Sequence, residues 1–167
     1  MGIDAEHLST YVIRPILLQL ELYSLAAERL LLGTAAQESQ LGRYLRQIRG
    51  PALGIYQMEP DTHNDVHRSF LRFNSRLRRA VMSFASGGSG EPAPNQLVWN
   101  LAYATAMSRV YYLRIQEPLP KADDIDAMAR YWKKYYNTVA GKGTEEEFKR
   151  NFNRFISLRS ISNDHIH

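Results

Sequence analysis

Apolar side chains recur at steps of three and four residues along most of the chain, which is the spacing of amphipathic helices. This periodicity predicts six helices, over residues 14–32, 34–42, 62–84, 95–116, 123–137 and 144–159. Gly33 is expected to end the first helix, and no stretch shows a strong strand pattern. We therefore predict a mainly α fold, or an α+β fold with at most a small hairpin near residues 50–58.

Glycine and proline concentrate in the stretches between these helices. Residues 50–62 are expected to form a loop, and residues 86–94 a flexible connector. Thr62 with Asp65, and Thr144 with Glu147, have the spacing of capping boxes at helix starts. The connector is too short to mark a domain boundary, so a single domain over residues 1–167 is predicted, with a frayed tail over residues 160–167.

Composition and charge exclude several classes of protein. With 44% hydrophobic and 23% charged residues, the chain has the composition of an ordinary globular domain. The net charge of +4 favours approach to an anionic polymer, without choosing between nucleic acid and cell wall. The absence of cysteine excludes disulfides, thiolate metal sites and cysteine nucleophiles. No signal peptide is recognised, and the charges within residues 11–32 argue against a membrane span.

Glu38 is the first candidate for chemistry, since it follows a strongly apolar segment in the string TAAQESQLG. Burial against apolar neighbours disfavours a charged carboxylate and raises its pKa, so that the group can act as an acid near neutral pH. The alternative interpretation is a solvated glutamate on a helix surface, the commoner role for this residue type.

The string GIYQMEPDT, over residues 54–62, is the second candidate. Gly54 would let backbone approach a ligand closely, and Gln57 offers a donor and an acceptor to sugar hydroxyl and acetamido groups. Glu59 and Asp61 add two carboxylates to the same stretch. The alternative interpretation is a capped turn that leads into the next helix.

The aromatic string YWKKYYNTVAGKGT, over residues 131–144, is the third candidate. Aromatic faces stack on sugar rings, and a tyrosine hydroxyl can hydrogen-bond a carboxyl group. The alternative is a helix with core aromatics and a glycine stop. Its Gly-Lys-Gly-Thr segment is not a phosphate loop, because the upstream glycine and the preceding strand are missing.

His63 and His67 stand four residues apart, but neither an H-E-x-x-H pattern nor a third ligand accompanies them. We interpret them as the solvated start of a helix and predict no metal and no cofactor. Nucleic-acid binding is a further alternative that no recognised motif supports. It is suggested by the basic residues of the same predicted helix, Arg68, Arg72, Arg76, Arg78 and Arg79.

Together these strings resemble the soluble lytic transglycosylase and goose-type lysozyme branch of the lysozyme superfamily. That family has a Glu-Ser pair at a helix end, followed by a G-L-M-Q-x-M-P-x-T string. The counterparts here are Glu38-Ser39 and residues 54–62, with 19 residues from Glu38 to Gln57. Residues 100–112 and the Tyr136-Asn137 pair resemble weaker motifs, and the aromatic string resembles wall-degrading proteins of tailed bacteriophages. The resemblance covers residues 20–140.

The resemblance implies a lysozyme-like fold and cleavage of peptidoglycan between N-acetylmuramic acid and N-acetylglucosamine, with Glu38 as acid and base. The expected place of action is the bacterial cell wall, reached from the host cytoplasm or from a phage virion. The residues that the resemblance assigns to substrate binding are Ser39, Gly54, Tyr56, Gln57, Tyr136 and Asn137.

Two departures from the family leave the reaction open. Glu59 stands where the family usually has Met, and residues 43–49 replace a loop that contains Asn-Pro. A lytic transglycosylase uses one carboxyl twice, whereas an inverting muramidase would pair Glu38 with Glu59 or Asp61 at roughly 6.5–9.5 Å. An alternative of another class is a phage structural or injection protein that retains the fold without activity.

Overall fold

A computed structural model describes residues 1–87, 90–138 and 140–156. The α-helices are α1 (Ala5–Leu8), α2 (Arg14–Gln19), α3 (Leu25–Ser39), α4 (Pro60–Ser69), α5 (Ser75–Met82), α6 (Gln96–Trp99), α7 (Leu101–Leu113), α8 (Ile125–Trp132) and α9 (Glu145–Phe155). Wider π-helical turns cover Ser9–Ile13 and Lys133–Asn137, and a 3-10 turn covers Leu71–Phe73. Since the described residues form no strand, the prediction of a mainly α, single-domain fold is confirmed.

Helix α3 lies at the centre of the fold, against α7, α8 and α9. Residues 27–36 are all buried, so this part of the helix has no solvated face. The predicted helix end at Gly33 is wrong, because α3 continues through it to Ser39. A Cβ atom at Gly33 would lie 2.7 Å from Cζ of Phe148 and 2.9 Å from Cδ2 of Phe152. The glycine therefore serves the close approach of α9 and does not end the helix.

Three of the predicted helices are divided by residues that cap a new helix. Ser24, Asn74 and Asn100 each accept a backbone N–H from three residues ahead, and these residues precede α3, α5 and α7. Asn and Ser favour this position because their side-chain oxygens satisfy an N–H that has no partner within the helix. The uninterrupted helices predicted over residues 14–32, 62–84 and 95–116 are therefore wrong in extent.

Of the two predicted capping boxes, one is confirmed and the other is wrong. Thr144 and Glu147 form the predicted box at the start of α9, with bonds of 2.8 and 3.2 Å. The box predicted for Thr62 and Asp65 is wrong, because α4 already begins at Pro60. Proline suits the first helical position, where its missing N–H is not needed.

The sequence allows a small hairpin in the segment between α3 and α4, but this segment contains only isolated β-bridges. Leu53 forms one antiparallel bridge with Arg46 and another with Met58. Residues 88 and 89 of the predicted connector, and the predicted tail over residues 160–167, lie outside the described residues. Within the described part of the chain, no helix has both the length and the apolar composition needed to span a bilayer.

Candidate active site

Glu38 lies in the last turn of α3 and is only partly exposed. Its Oε1 atom accepts a hydrogen bond from the indole Nε1–H of Trp132 at 2.9 Å. Burial raises the pKa of Glu38 to about 7, and the Trp132 hydrogen bond limits the rise because it favours the charged form. The side chain is therefore a carboxyl that exchanges its proton near neutral pH, as an acid and base must.

Trp132, at the end of α8, is the site residue that the sequence did not identify. Its ring is fully buried and stacks on Phe148, with centroids 5.4 Å apart. Its buried face is not available to a sugar, and the same holds for Tyr131, which is 3% exposed. A signal was present in the sequence, since Trp132 precedes Tyr136 by four residues and so shares its helix face.

Tyr136 lies beside Glu38, in the π-helical turn that follows α8. Its hydroxyl donates to the backbone carbonyl of Tyr56 at 2.7 Å. Its ring meets Tyr111 edge-on and stacks with Tyr112, at centroid distances of 5.1 and 5.3 Å. Burial raises the pKa of the Tyr136 hydroxyl well above its ordinary value, and the nearby Glu38 carboxylate raises it further. The hydroxyl therefore stays protonated and acts as a donor.

Ser39 connects the end of α3 to the loop that carries Gln57. Its hydroxyl donates to the carbonyl of Ile55 at 2.6 Å and accepts from the N–H of Gly42 at 2.8 Å. At 1% exposure it has no open face for a substrate. This placement favours a positioning role for Ser39. Ser39 binds the carbonyl of Ile55 and Tyr136 binds that of Tyr56, so the two side chains hold consecutive carbonyls of this loop.

Gly54 and Tyr56 are also buried, in contrast to the expectation of substrate contact. Gly54 has φ +80°, and a Cβ there would lie 1.9 Å from the carbonyl oxygen of Leu97. Gly54 therefore allows the loop to lie close to the backbone of Leu97, and not close to a ligand. The Tyr56 hydroxyl shares a 2.9 Å hydrogen bond with Thr105, which fixes the loop to α7.

Gln57 is the residue at the end of this loop that reaches the surface, since residues 54–56 are buried. Its Nε2–H donates to the carbonyl of Gly54 at 2.8 Å, which holds the side chain against its own loop. The amide is thus fixed at the surface beside the carbonyl that Tyr136 holds.

Asn137 shapes the turn after Tyr136. Its Oδ1 atom accepts from Nζ of Lys133 at 2.7 Å, and the same ammonium donates to the Gly141 carbonyl at 2.8 Å. At Gly143, a Cβ would lie 2.7 Å from Cη2 of Trp132. The glycine therefore lets this turn lie directly on the indole that binds Glu38.

The two other predicted carboxylates lie apart from the Glu38 hydrogen bond. Glu59 is the exposed residue before α4, and Asp61 is exposed in the first turn of that helix. Neither contributes to the raised pKa of Glu38, which results from burial and from the Trp132 bond. Within the described residues, the Glu38 carboxyl has Trp132 as its side-chain partner.

His63 and His67 are buried, so their interpretation as a solvated helix start is wrong. Their Nε2 atoms lie 2.6 and 2.8 Å from the hydroxyl of Tyr103, because α4 packs against α7. Burial lowers the pKa of His67 to about 4, with further lowering by His63 and Arg78. In the described ranges, no group of three or more His, Asp or Glu side chains could hold a metal ion.

Two open surface hollows, of about 530 and 570 Å³, do not include Glu38 among their lining residues. One is bordered by residues 121–126 of the α8 start and by Lys149 and Asn153 of α9. The other is bordered by residues 1–5, by Gln40, Leu41 and Arg43 just after α3, and by Arg154 and Phe155. Neither is lined by a predicted site residue.

No protein-family model, curated protein or solved structure matches this chain. The lysozyme-like resemblance thus stays a prediction, and function is inferred from the chemistry of the residues around Glu38.

Proposed function

We propose that this protein cleaves the glycan strands of bacterial peptidoglycan, with Glu38 as the catalytic acid and base. The supporting observation is a partly buried carboxyl with a pKa of about 7, fixed by one indole N–H. At neutral pH, such a group is protonated in a large fraction of molecules, and its carboxylate is basic enough to recover a proton.

The reaction that suits this carboxyl is lytic transglycosylation. Glu38 donates its proton to the oxygen between N-acetylmuramic acid and N-acetylglucosamine, and the bond from that oxygen to C1 breaks. The Glu38 carboxylate then removes the proton of the muramoyl C6 hydroxyl, whose oxygen bonds to C1. The products are a free N-acetylglucosamine end and an anhydromuramoyl end, and the carboxyl is restored without net water.

Trp132 and Tyr136 support both halves of this cycle. The Trp132 bond at Oε1 fixes the carboxyl and strengthens as charge develops on it, while Oε2 is left for the substrate oxygen. Tyr136 donates to the Tyr56 carbonyl and so holds the loop of Gln57 beside the acid. Both are positioning residues in this proposal, and Gln57 is the proposed sugar contact.

The alternative of an inverting muramidase needs a second carboxyl at roughly 6.5–9.5 Å that activates water. The candidates are Glu59, exposed just before α4, and Asp61, exposed in its first turn, and neither contributes to the Glu38 pKa. This arrangement supports the mechanism in which a single carboxyl acts twice.

The proposal is tested with purified, dye-labelled peptidoglycan and four proteins: wild type, Glu38→Gln, Glu59→Gln and Asp61→Asn. Loss of the acid should reduce dye release by about 10²–10⁴-fold, while the other two variants stay within a few-fold of wild type. An equally large loss for Glu59→Gln or Asp61→Asn would favour the hydrolytic alternative. A folded wild type that releases no dye would favour the structural alternative.

A further inference from the structure

Residues 43–49, with the sequence RYLRQIR, form an exposed loop between the helix of Glu38 and the loop of Gln57; we name it the arginine loop. Arginine occupies every third position, at Arg43, Arg46 and Arg49, and all three are exposed. None of the ion pairs in the described chain involves them. Arg43 donates to Oε1 of Gln40 at 3.4 Å and lies over the ring of Tyr44, so no carboxylate of the described chain neutralises any of the three guanidinium groups.

The arginine loop also exposes apolar side chains. Tyr44 is 39% exposed, Leu45 41% and Ile48 77%. Single exposed apolar residues are ordinary, but three within five positions, interleaved with unpaired arginines, form a patch of the kind that binds a partner. The patch combines positive charge with apolar contact.

Backbone hydrogen bonds fix the arginine loop to both sides of the candidate site. At one end, the N–H of Arg43 donates to the carbonyl of Ser39 at 2.9 Å. Two residues further on, the carbonyl of Leu45 accepts from the N–H of Gly54 at 2.8 Å. These two bonds attach the first part of the arginine loop to the end of α3, which carries Glu38, and to the loop of Gln57.

We propose that the arginine loop binds the carboxylates of the peptide stems that branch from the glycan strand. This inference rests on the proposed function and adds the part of the substrate that is recognised. Peptide stems carry free carboxylates along the polymer, and guanidinium groups bind carboxylates through paired N–H donors. Tyr44 and Ile48 pack against the apolar parts of the same stems. The arginine loop is attached to the candidate site, and a glycan strand bound there places its peptide stems beside the bond that is cut. The stems are therefore favoured over an anionic lipid surface as the partner of this loop.

The test measures binding without cleavage, in a Glu38→Gln background, by co-sedimentation with insoluble peptidoglycan. The test variant adds Arg43→Gln, Arg46→Gln and Arg49→Gln. The matched control adds Arg68→Gln, Arg72→Gln and Arg79→Gln, which removes equal charge from exposed positions on α4 and α5 and between them. Each protein is sedimented with intact peptidoglycan, with glycan stripped of its stems by an amidase, and with phosphatidylglycerol vesicles.

The test variant should bind intact peptidoglycan about tenfold more weakly than its parent, and stem-free glycan equally well, while the control stays within about twofold. Equal binding of test variant and parent to intact peptidoglycan would overturn the inference, as would an equal loss in the control. A loss confined to vesicles would overturn it in favour of lipid. Dye release by wild type separates the two proposals, since cleavage without stem-dependent binding contradicts only this one.

Discussion

Trp132 donates its indole N–H to the carboxyl of Glu38 at 2.9 Å, across 94 residues of sequence. The bond joins the end of α8 to the last turn of α3, and Phe148 of α9 holds the indole from its other side. Three helices thus determine where this carboxyl lies and how acidic it is.

Activity should depend on pH through Glu38. The reaction begins with the protonated acid, and the pKa of Glu38 is raised to about 7. Release of peptidoglycan fragments should therefore fall about tenfold per pH unit above this value and level off just below it. Initial rates at limiting substrate, measured from about pH 5 to about pH 9, test this. A rate that is constant between about pH 7 and about pH 9 would contradict a proton-donating role for Glu38.

Replacing Trp132 by Phe should shift this pH profile. Phe keeps an aromatic ring against Phe148 but removes the N–H that favours the carboxylate, so the pKa of Glu38 should rise further. The falling limb should move to higher pH, and the maximal rate should drop about tenfold as the carboxyl loses its orientation. Tyr131→Phe is the matched control. Tyr131 is the neighbour of Trp132 in α8, and the hydrogen bond that this variant loses is one to the backbone carbonyl of Glu117. An identical shift in both variants would show that α8 packing, and not the indole N–H, sets the profile.

Gly33→Ala should destabilise the protein, although alanine is favoured over glycine in exposed helix interiors by about 1 kcal/mol. The added methyl group would lie 2.7 Å from Phe148, so α9 must move away from α3. We expect a loss of about 1–3 kcal/mol in the free energy of unfolding, as for other overpacked cores. Urea unfolding measures it, and adding Phe148→Leu should restore part of the loss. An increase in stability on the single substitution would mean that the helices are not packed this closely.

Acid should weaken the packing of α4 against α7 through His67. Its pKa is lowered from 6.5 to about 4 in the folded protein, so the unfolded chain binds the extra proton first. Stability is therefore retained above pH 6.5 and lost as pH falls towards 4, by about 3 kcal/mol in total. Urea unfolding of wild type and His67→Gln across this interval provides the test. The two proteins should converge in stability as pH falls, and parallel curves would assign the acid sensitivity to other groups.

The sequence predicted where helices occur more accurately than the residues at which they begin and end. Periodicity identified the amphipathic segments, because their buried faces recur with the helical repeat. Over residues 27–36 helix α3 is buried on all sides, so its pattern has no apolar stripe that marks its length, and Gly33 resembled a stop. The contact of Gly33 with α9 joins residues far apart in the chain. No local pattern contains it.

Only part of the candidate site could be predicted, because several of its contacts also join residues that are far apart in the chain. Glu38 could be identified because it follows an apolar segment and because the Glu38-Ser39 pair and residues 54–62 together resemble two family motifs. Its bond to Trp132 depends on how α8 meets α3, and the burial of His63 and His67 depends on Tyr103 of α7. Histidines four residues apart on a polar helix start look solvated until the partner helix is known. Ser39 and Tyr56 likewise matched a binding motif, although they hold the loop from within.

The most direct test of the central claim is the mass of the soluble fragments released from purified peptidoglycan by wild type and by Glu38→Gln. Wild type should release muropeptides with anhydromuramoyl ends, one water lighter than hydrolytic products, and Glu38→Gln should release almost none. Fragments with only hydrated ends would contradict the single-carboxyl mechanism. Equal release by both proteins, or no release by a folded wild type, would contradict the role of Glu38 itself.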